Sequence, residues 1–419
     1  MLDMKDKRVL VVGLGASGMA AAKWLLRQGA RVKVTEKQNN HFYIKRAEQL
    51  LSKGAQVELG THSQGFLSDS DLAVVSPGIS MHEPVINWLK KGNIPIVSEI
   101  ELGYLYCPCP IIAVTGTNGK TTVSTLLDGA LRLYDRRVHL AGNIGKAFCS
   151  VLNRVGPRDW VVLEISSFQL ETINHFQPHI GILLNIDDDH LDRHSSLKEY
   201  LDIKMRLFKN QTSRDWAVLD SSIPYFKNIS RTIPSRVICF NSRSSSNPNG
   251  EVVEKVIDIL GYNTKVLKKY LDNFKGLEHR IEYVSKLKGR TFINDSKATN
   301  VSAARWAVSR VKPPIILIAG GQDKNLDFSE CASFMTDKVR ELILIGDAKD
   351  KIAKAVEGKI SFKMADTLED AVCEAFGASR RGDSILLSPM CASFDMFRDY
   401  KHRGKVFKSA VKRIEAENI

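Results

Sequence analysis

Short runs of β-branched and aliphatic residues alternate with longer amphipathic stretches along the whole chain. Strands that alternate with helices in this way indicate parallel sheets joined by crossover helices, so the pattern predicts an α/β protein. We predict strands at ten runs: Arg8–Val12, Arg31–Thr35, Leu72–Ser76, Ile111–Thr115, Trp160–Glu164, Ile180–Ile186, Thr291–Asn294, Ile315–Ala319, Glu341–Ile345 and Ser384–Leu387. The Ser/Asn-rich stretch Asn241–Asn249 is predicted to be a loop.

Chain length and two glycine-containing loops predict the number of domains. A chain of 419 residues is too long for one compact core. The loops Gly13–Gly18 and Gly116–Gly119 each follow a predicted strand and precede a helix, which indicates two separate nucleotide-binding α/β domains. A third α/β unit follows the turn at Gly276–Arg280. We therefore predict a Rossmann-like domain at residues 1–98, a P-loop-type mononucleotide-binding domain at 99–276 and a Rossmann-like α/β domain at 277–419.

Composition and charge narrow the classes of function. The net charge of +13 indicates either a lysine- and arginine-rich surface or anionic substrates, and no dense basic block with interleaved aromatic residues indicates nucleic-acid binding. No apolar run approaches the roughly 20 residues of a membrane helix, and the first residues do not resemble a cleavable signal. The seven cysteines form no paired metal-binding spacing. We therefore expect a cytoplasmic monomer with no nucleic-acid or membrane partner.

A phosphate-binding loop is predicted directly after the strand that begins at Ile111. The segment Thr115-Gly-Thr-Asn-Gly-Lys-Thr-Thr122 leads into an apolar helical stretch. Glycines let backbone N–H groups face phosphates, and the helix N-terminus adds a favourable dipole. Lys120 is expected to reach the β- and γ-phosphates of a nucleotide, and the Thr121 hydroxyl is expected to bind Mg²⁺. Val114 replaces the first glycine of a strict Walker A motif, which leaves a plain glycine turn as the alternative.

Polar residues follow the next two predicted strands. Glu164 ends one strand, and His190 lies in the acidic segment after the other. Ligands of open parallel sheets bind at the carboxyl ends of strands, so both side chains are expected beside the phosphate loop. Mg²⁺ prefers hard oxygen ligands, which makes Glu164 a candidate ligand. The alternatives are an exposed loop acid and a solvated histidine.

Lys204 interrupts an apolar helical stripe that contains Leu197, Tyr200, Leu207 and Phe208. Its position on this stripe predicts that the side chain faces inward. A lysine that extends its amine to the surface is one explanation. The other is a buried amine, because desolvation favours the neutral form that is available for chemistry. The pattern alone does not decide between them.

The N-terminal loop contains Gly13-x-Gly15-x-x-Gly18 between a strand and a helix, and Glu36 ends the next strand. This spacing is typical of a loop that binds a diphosphate, and by itself it predicts NAD with Glu36 on a ribose. The turn Ser76-Pro-Gly78 is expected to close the same pocket. The motif alone does not identify the nucleotide.

Ten motifs in order resemble the Mur ligase family over most of the chain: GLGASG, VVSPGI, SEIEL, AVTGTNGKTT, GNIG, LEISSFQLE, DDDHLDRH, LEHRIE, NDSKATN and LLSPMCASFDMFRDYKHRG. NDSKATN and CAS-F resemble the branch that adds D-glutamate to UDP-N-acetylmuramoyl-L-alanine. The resemblance implies an ATP-dependent, ADP-forming ligase of peptidoglycan precursor synthesis. It also implies that GLGASG binds a uridine nucleotide rather than NAD.

The resemblance further implies two Mg²⁺ sites and a CO₂-derived carbamate on Lys204. It assigns catalytic or metal contacts to Lys120, Thr121, Glu164, His190 and Lys204. It assigns ATP contacts to Gly116, Thr117, Asn118, Gly119, Lys120, Thr121, Thr122, Asn249, Arg280 and Asp295. Contacts to the UDP substrate are assigned to Gly15, Ala16, Ser17, Thr35, Glu36, Ser76, Pro77, Gly78, Asn143 and Ser166. Contacts to D-glutamate are assigned to Lys297, Thr299, Lys324, Ser393 and Tyr400.

The chain departs from the family pattern at two places. Between Phe240 and Gly261 it is shorter, and the family's HNxxN motif near adenine is reduced to Ser245-Ser-Asn-Pro-Asn249. Tyr400 stands where the family often has phenylalanine. Three other functions compete: a folylpolyglutamate synthase, which lacks a GLGASG domain, a nicotinamide dehydrogenase, and a non-catalytic nucleotide-binding protein. The last two leave Glu164, His190 and Lys204 unexplained.

Overall fold

The computed structural model describes residues 3–187, 196–323 and 326–417. These residues form two compact units, one built from Met1–Ile186 and Lys198–Asn273 and the other from Asp187–Leu197 and Phe274–Ile419. The first unit holds two sheets, and the second unit holds one. No helix within the described ranges combines the length and the apolar character that crossing a membrane requires.

The first sheet of the first unit has five parallel strands in the order β3-β2-β1-β4-β5. Its elements in chain order are β1 (Arg8–Val12), α1 (Ala16–Arg27), β2 (Arg31–Glu36), α2 (His41–Leu51), β3 (Gln56–Leu59), α3 (Gln64–Leu67), β4 (Leu72–Val75), α4 (Pro84–Lys91), β5 (Ile96–Ser98) and α5 (Glu99–Tyr106). The order reverses around β1, and the glycine loop follows this strand. Such a reversal is where ligands bind in open α/β sheets.

The second sheet of this unit has six parallel strands in the order β11-β10-β9-β6-β8-β7. Short 3₁₀ turns lie at Phe148–Ser150, Leu152–Arg154 and Arg206–Phe208. The other elements are β6 (Ile111–Thr115), α6 (Lys120–Arg132), β7 (Val138–Gly142), β8 (Trp160–Glu164), α7 (Ser167–Leu170), β9 (Ile180–Leu183), α8 (Leu197–Met205), β10 (Trp216–Asp220), α9 (Phe226–Thr232), β11 (Arg236–Phe240), α10 (Pro248–Ile259) and α11 (Thr264–Asp272).

The second unit has six strands in the order β12-β13-β17-β14-β15-β16, and only the β12–β13 pair is antiparallel among its described strands. Its elements are β12 (Glu282–Leu287), β13 (Arg290–Asn294), α12 (Val301–Arg310), β14 (Ile315–Gly320), α13 (Cys331–Met335), β15 (Val339–Ile345), α14 (Lys349–Val356), β16 (Ser361–Met364), α15 (Leu368–Ala378), β17 (Ser384–Leu387) and α16 (Tyr400–Glu417).

The central strands are buried on both faces, which explains their continuous apolar runs. Every residue of β6 and of β14 is buried. Along β14, Ile315 and Leu317 enter one apolar cluster, whereas Ile316 and Ile318 enter another. Because side chains alternate along a strand, these two clusters cover opposite faces of the sheet.

Helix α5 joins the two sheets of the first unit. The Ser98 side chain caps it by accepting a hydrogen bond from the Glu101 N–H at 3.0 Å. The buried Glu101 carboxylate accepts hydrogen bonds from three consecutive backbone N–H groups, at residues 174–176. The Glu99 carboxylate accepts one from the Cys149 N–H at 2.6 Å. These buried acids fasten α5 to the loops around the second sheet.

All ten predicted strands are present, and the predicted α/β class is confirmed. Three details of the prediction are wrong. The strand predicted at Ile180–Ile186 ends at Leu183, because the chain turns to the phosphate loop after it. The predicted loop Asn241–Asn249 is helical from Pro248 onward. Third, the pattern predicted parallel sheets, but β12 and β13, which are close in sequence, pair antiparallel.

Candidate active site

The N-terminal glycine loop is held in shape by close backbone packing. Gly13 has φ of +90°, and a Cβ on Gly18 would lie 1.9 Å from the Gly13 carbonyl oxygen. The Ser76 hydroxyl donates to this same carbonyl at 3.0 Å. Helix α1 begins directly after Gly15, the N-cap residue, which has no side-chain cap. The predicted residues Gly15, Ala16, Ser17, Ser76, Pro77 and Gly78 therefore all follow β1 or β4 at one edge of the sheet.

Two further predicted residues end β2 at this edge. The buried Glu36 carboxylate accepts hydrogen bonds from the N–H groups of Leu14, at 2.8 Å, and Gln38, at 3.1 Å. The buried Thr35 hydroxyl contacts Glu58 and His62. Glu36 thus stabilises the glycine loop itself, a role that sequence analysis did not predict. Contacts of these residues with a ligand remain predictions.

The predicted phosphate loop joins β6 to α6. Gly116 and Gly119 have φ of +147° and +83°, a region that favours glycine. Lys120 begins the helix, and its ammonium donates to the carbonyl oxygens of Gly116 and Thr117, both at 2.8 Å. Thr121 and Thr122 lie in the first helical turn. The loop and helix N-terminus together form the kind of site that binds phosphate.

Asn185 fixes this loop, and sequence analysis did not single it out. Its carbonyl oxygen accepts from the Thr117 N–H at 3.1 Å, and its side-chain oxygen accepts from the Asn118 N–H at 2.8 Å. Its amide group donates to the Asn118 carbonyl at 3.1 Å. Asn185 is the first polar residue after β9, so the strand-end rule applied to Glu164 could have found it.

Glu164 lies at the carboxyl end of β8 and is only 2% exposed. Its Oε1 accepts a hydrogen bond from the Asn143 side chain at 2.9 Å. Its Oε2 is buried, and no described residue donates a hydrogen bond to it. Ser166, two residues later, caps α7 in a reciprocal arrangement with Gln169. Asn143, Glu164 and Ser166 thus lie together at the carboxyl ends of β7 and β8, and their contacts with a metal or a substrate remain predictions.

The inward orientation predicted for Lys204 is confirmed. The side chain is 1% exposed, and its ammonium lies 4.4 Å from the centre of the Tyr200 ring. The ammonium donates to the Gly116 carbonyl at 3.0 Å and contacts the Thr115 hydroxyl at 3.4 Å. The Lys204 amine therefore does not reach the surface and instead lies against the start of the phosphate loop.

Asn249 also lies beside the phosphate loop. Its Oδ1 is 3.1 Å from the position that a Cβ on Gly119 would occupy. This places the first turn of α10 next to the turn that precedes α6, near the residues predicted to bind ATP. His190 and Lys324, predicted respectively for metal and D-glutamate contacts, lie outside the described residues.

In the second unit, Asp295 follows β13 and is buried. Its Oδ2 accepts from the Ser388 hydroxyl at 2.9 Å, and its Oδ1 accepts from the Ile281 N–H at 3.2 Å. Burial raises the pKa of the Asp295 carboxyl to about 7, because desolvation outweighs these hydrogen bonds and the nearby Arg280. Arg280 lies between two residues of positive φ, His279 and Ile281. The two predicted ATP contacts of this unit are therefore neighbours.

The predicted D-glutamate contacts that fall within the described residues occupy two loops and the start of α16. The Lys297 ammonium lies 4.0 Å from the centre of the Tyr400 ring. Thr299 is half-buried in the loop after β13. Ser393 is buried in the loop after β17, and its carbonyl accepts from the Phe397 N–H at 2.8 Å. The structure brings together Lys297 and Tyr400 directly.

Arg403 is a second residue that sequence analysis missed. It is fully buried in α16, and its guanidinium donates to backbone oxygens in both of these loops. An arginine in a basic helix gives no sequence signal of burial.

The side-chain oxygen atoms near the phosphate loop of the first unit are of the kind that binds Mg²⁺. The unpartnered Oε2 of Glu164 is a hard anionic oxygen, and such a buried atom is costly unless it binds a cation or a donor. The described residues offer another cluster of three potential metal ligands, Glu278, His279 and Glu282, in the second unit. There the Lys408 ammonium lies 2.6 Å from Glu278 and 3.0 Å from Glu282, so a cationic group already neutralises the carboxylates.

A phosphate loop at the carboxyl end of β6, with a buried carboxylate at the end of the neighbouring strand β8, defines a nucleotide-binding α/β protein equipped for phosphate chemistry. Comparison with known proteins narrows this class. Residues 7–98 match the Mur ligase MurD-like N-terminal domain, 114–302 match the Mur ligase middle domain, and 279–391 match the Mur ligase glutamate ligase domain. The chain belongs to the Mur ligase family, and it has that family's three-domain architecture.

Among its relatives, the UDP-N-acetylmuramoylalanine--D-glutamate ligase of Caldanaerobacter subterraneus subsp. tengcongensis is 39% identical over 98% of this chain and 99% of that protein. The structure of MurF ligase from Thermotoga maritima with ADP shares the fold, with a TM-score of 0.62, 14% identity and coverage of 99% and 100% of the two chains. E. coli FolC also shares it, with a TM-score of 0.57 and 14% identity, but matches only 81% of this chain and 100% of its own.

Proposed function

We propose that this chain is an ATP-dependent, ADP-forming ligase that adds D-glutamate to UDP-N-acetylmuramoyl-L-alanine in peptidoglycan precursor synthesis. The proposal rests on the phosphate loop and the neighbouring Glu164. The Oε2 atom of Glu164 is buried and has no hydrogen-bond partner among the described residues. The full-length similarity to ligases of that name supports the choice of substrates. The match of residues 7–98 to the MurD-like N-terminal domain disfavours the folylpolyglutamate synthase alternative, which lacks a GLGASG domain.

The chemistry requires activation of a carboxylate. In the proposed reaction, the carboxylate of the L-alanyl group attacks the γ-phosphorus of ATP, which forms an acyl phosphate and releases ADP. The amine of D-glutamate then attacks the acyl carbon and loses a proton. The resulting tetrahedral intermediate expels phosphate, and an amide remains. Phosphate is a far better leaving group than oxide, and the protein contributes positioning and charge neutralisation.

The roles at the phosphate loop follow from its contacts. The N–H groups of Gly116–Thr122 and the Lys120 ammonium bind the ATP phosphates. Thr121, Glu164 and His190 hold Mg²⁺ in two sites, and Mg²⁺ neutralises charge on the transferred phosphoryl group when bound. Asn143 orients the Glu164 carboxylate by its 2.9 Å hydrogen bond, so that Oε2 faces away from it.

Lys204 is proposed to carry a carbamate. The lysine ammonium first loses one proton, and the neutral amine then adds to CO₂ and releases a second proton. A cation is thereby converted into an anionic ligand with two oxygens. The side chain is buried and lies against Gly116, at the start of the loop that would hold the phosphates. An anion at this position would complete the metal ligands, whereas an ammonium there would repel Mg²⁺.

Substrate contacts and organisation complete the proposal. Three domains are proposed, at residues 1–98, 99–276 and 277–419, in a cytoplasmic monomer. The UDP substrate would contact Gly15, Ala16, Ser17, Thr35, Glu36, Ser76, Pro77, Gly78, Asn143 and Ser166. ATP would contact the phosphate loop, Asn249, Arg280 and Asp295. D-glutamate would contact Lys297, Thr299, Lys324, Ser393 and Tyr400.

Phosphate release from ATP and Mg²⁺ with UDP-N-acetylmuramoyl-L-alanine tests the proposal. D-glutamate, L-glutamate, L-lysine and D-alanyl-D-alanine are compared as acceptors. We expect release with D-glutamate alone. Release with a different acceptor would overturn the substrate but keep the ligase chemistry, and no release with any acceptor would overturn the function. Glu164→Gln keeps the side-chain size and removes the anionic oxygen, so this variant should need a higher Mg²⁺ concentration to reach the same rate.

A further inference from the structure

Arg403 is one of the largest fully buried side chains among the described residues. It lies in the first turn of α16, three residues after Tyr400. Its Nε donates to the Ser296 hydroxyl at 3.0 Å, and its Nη2 donates to the Ser296 carbonyl at 2.9 Å. Nη2 also donates to the Cys391 carbonyl at 3.0 Å, and Nη1 donates to the Ala392 carbonyl at 3.2 Å. One guanidinium therefore joins two loops that are far apart in sequence.

These two loops carry the residues proposed to hold D-glutamate. Ser296 directly precedes Lys297, and Ala392 directly precedes Ser393. The Ser296 hydroxyl also donates to the Tyr400 carbonyl at 2.8 Å, which ties α16 to the same point. Through these bonds to neighbouring residues, the guanidinium sets the relative positions of Lys297, Ser393 and Tyr400.

A third loop packs against the Arg403 guanidinium. Gly321 follows β14 with φ of +137°, and a Cβ there would lie 3.1 Å from Arg403 Nη1. The Gln322 N–H donates to the Ala392 carbonyl at 2.9 Å, the same oxygen that accepts from Arg403. The guanidinium is thus packed at the junction of the loops after β13, β14 and β17.

The four hydrogen bonds of Arg403 all end on neutral oxygens. Burial lowers the pKa of the guanidinium to about 10, so it stays positively charged at neutral pH. Asp295 and Asp395 act on it only through longer-range attraction. Burying a charge without a directly bonded carboxylate is expensive, and an apolar residue of similar size would pack at lower cost. A positive charge in this position does, however, favour a dicarboxylate bound at these loops.

We propose that Arg403 is a positioning residue for the acceptor amino acid, which fixes the loops at residues 295–299 and 389–393 and supplies positive potential beneath them. The inference rests on the proposed function, because it takes D-glutamate as the ligand of these loops. A purely structural arginine would stabilise the second unit without a selective effect on one substrate.

Steady-state kinetics of Arg403→Met and Arg403→Lys test this role. Met keeps much of the side-chain volume and removes the charge, whereas Lys keeps the charge and loses the planar fork. We expect the KM for D-glutamate to rise at least roughly 10-fold in Arg403→Met and less in Arg403→Lys, with the KM for ATP nearly unchanged. Ser296→Ala removes one of the four acceptors of Arg403, together with the hydrogen bond to the Tyr400 carbonyl, and should shift the same KM in the same direction by a smaller factor.

Two controls separate positioning from general stability. Arg413→Met changes an exposed arginine of the same helix and should leave every constant unchanged. Phe407→Leu weakens the core one turn after Arg403 and should lower the Tm without a selective change in the KM for D-glutamate. An equal change of all KM values in Arg403→Met, or an unchanged KM for D-glutamate, would overturn the proposal. If Arg403→Met does not fold, Ser296→Ala and Arg403→Lys decide the outcome by the same criterion.

Amide hydrogen exchange keeps this inference distinct from the proposed function. If the wild-type chain shows no D-glutamate-dependent phosphate release, the proposed function fails, and with it the identity of the ligand. The positioning of the loops is then measured by the exchange rates of the Gln322 and Phe397 amides. These amides donate hydrogen bonds to the carbonyl oxygens of Ala392 and Ser393, respectively. These amides should exchange at least roughly 10-fold faster in Arg403→Met and not in Phe407→Leu. Unchanged exchange in Arg403→Met would refute the bracing of the loops.

Discussion

At the scale of single residues, the chemistry of the first unit depends on polar groups that the fold has removed from water. Lys204 is 1% exposed, and Glu164 is 2% exposed. The Gly116 carbonyl accepts a hydrogen bond from the Lys204 ammonium, and the Asn143 amide donates one to the Glu164 carboxylate. Charged groups that are removed from water are costly, and they persist where a ligand or a modification uses them.

Removal of the Lys204 amine should abolish activity. We expect Lys204→Ala and Lys204→Arg each to lower kcat by at least roughly 100-fold, because neither side chain can form a carbamate. Formate should partly restore Lys204→Ala, since a small carboxylate can occupy the vacated space, but should not restore Lys204→Arg. Lys198→Ala removes an exposed lysine from the same helix and serves as the control. Full activity of Lys204→Arg would exclude the carbamate.

Glu99 should make stability depend on pH. Burial raises the pKa of its carboxyl from 4.5 to about 7, and its Oε2 has no hydrogen-bond partner within the described part of the chain. A raised pKa means that the protonated form is favoured in the folded state. The contribution of the Glu99 carboxyl to the free energy of unfolding is therefore fully present below pH 4.5 and is lost as the pH rises through about 7.

Glu99→Gln should remove this dependence, because it keeps the acceptor for the Cys149 N–H and cannot ionise. We expect thermal unfolding to show little difference from wild type near pH 4.5 and a stabilisation of up to about 3 kcal/mol at pH 8. Glu48→Gln, on the exposed face of α2, controls for the loss of a surface charge. A stabilisation that is the same at both pH values would contradict the argument.

At the scale of elements, strand position in the sheet decided what the sequence could reveal. The six strands at the edges of the three sheets, β3, β5, β7, β11, β12 and β16, were all unpredicted. Edge strands pair on one side and are less buried, so their apolar runs are weak; β16, for example, has no buried residue. Of the described strands inside the sheets, only β10 was missed. The strand-end rule correctly grouped Glu164 with the phosphate loop because both follow central strands.

The packing of α5 on the second sheet's loops depends on Gly103. A Cβ at this position would lie 2.4 Å from the ring of Phe148, which is fully buried, so the ring or helix α5 would have to shift. We expect Gly103→Ala to lower the free energy of unfolding by about 1–3 kcal/mol, as for other overpacked cores. Chemical denaturation measures this value. Gly377→Ala, in α15, meets no atom within 4 Å and should stabilise by about 0.5–1 kcal/mol. Equal effects at both sites would show that the ring relocates.

At the scale of the whole molecule, charge shapes the encounter with substrates. The chain carries a net charge of +13, and the proposed nucleotide substrates are multiply anionic. Long-range attraction of this kind raises association rates and is screened by salt. It acts on binding more than on the bond-forming step, which takes place at short range.

Raising the KCl concentration from about 50 to about 300 mM should therefore increase the KM for the UDP substrate and for ATP by a few-fold, because the Debye length shortens about 2.4-fold over this range. We expect kcat at saturating substrate to change much less. Sucrose at matched osmolarity controls for effects of the solute on the protein. KM values that do not respond to salt would show that the net charge plays no part in substrate capture.

The sequence by itself determined the α/β class, the ten recognised strands and both glycine loops, because central strands and tight turns leave local patterns of apolar residues and glycine. It also placed Lys204 on an inward face, since helical periodicity is local. Only the tertiary structure decided which distant groups meet. Asn185 braces the phosphate loop, Glu36 holds the glycine loop, and Arg403 joins two loops and packs against a third. None of these contacts has a periodic signature in the sequence. They arise between residues far apart in sequence, whose polar groups must find partners once packing has removed water.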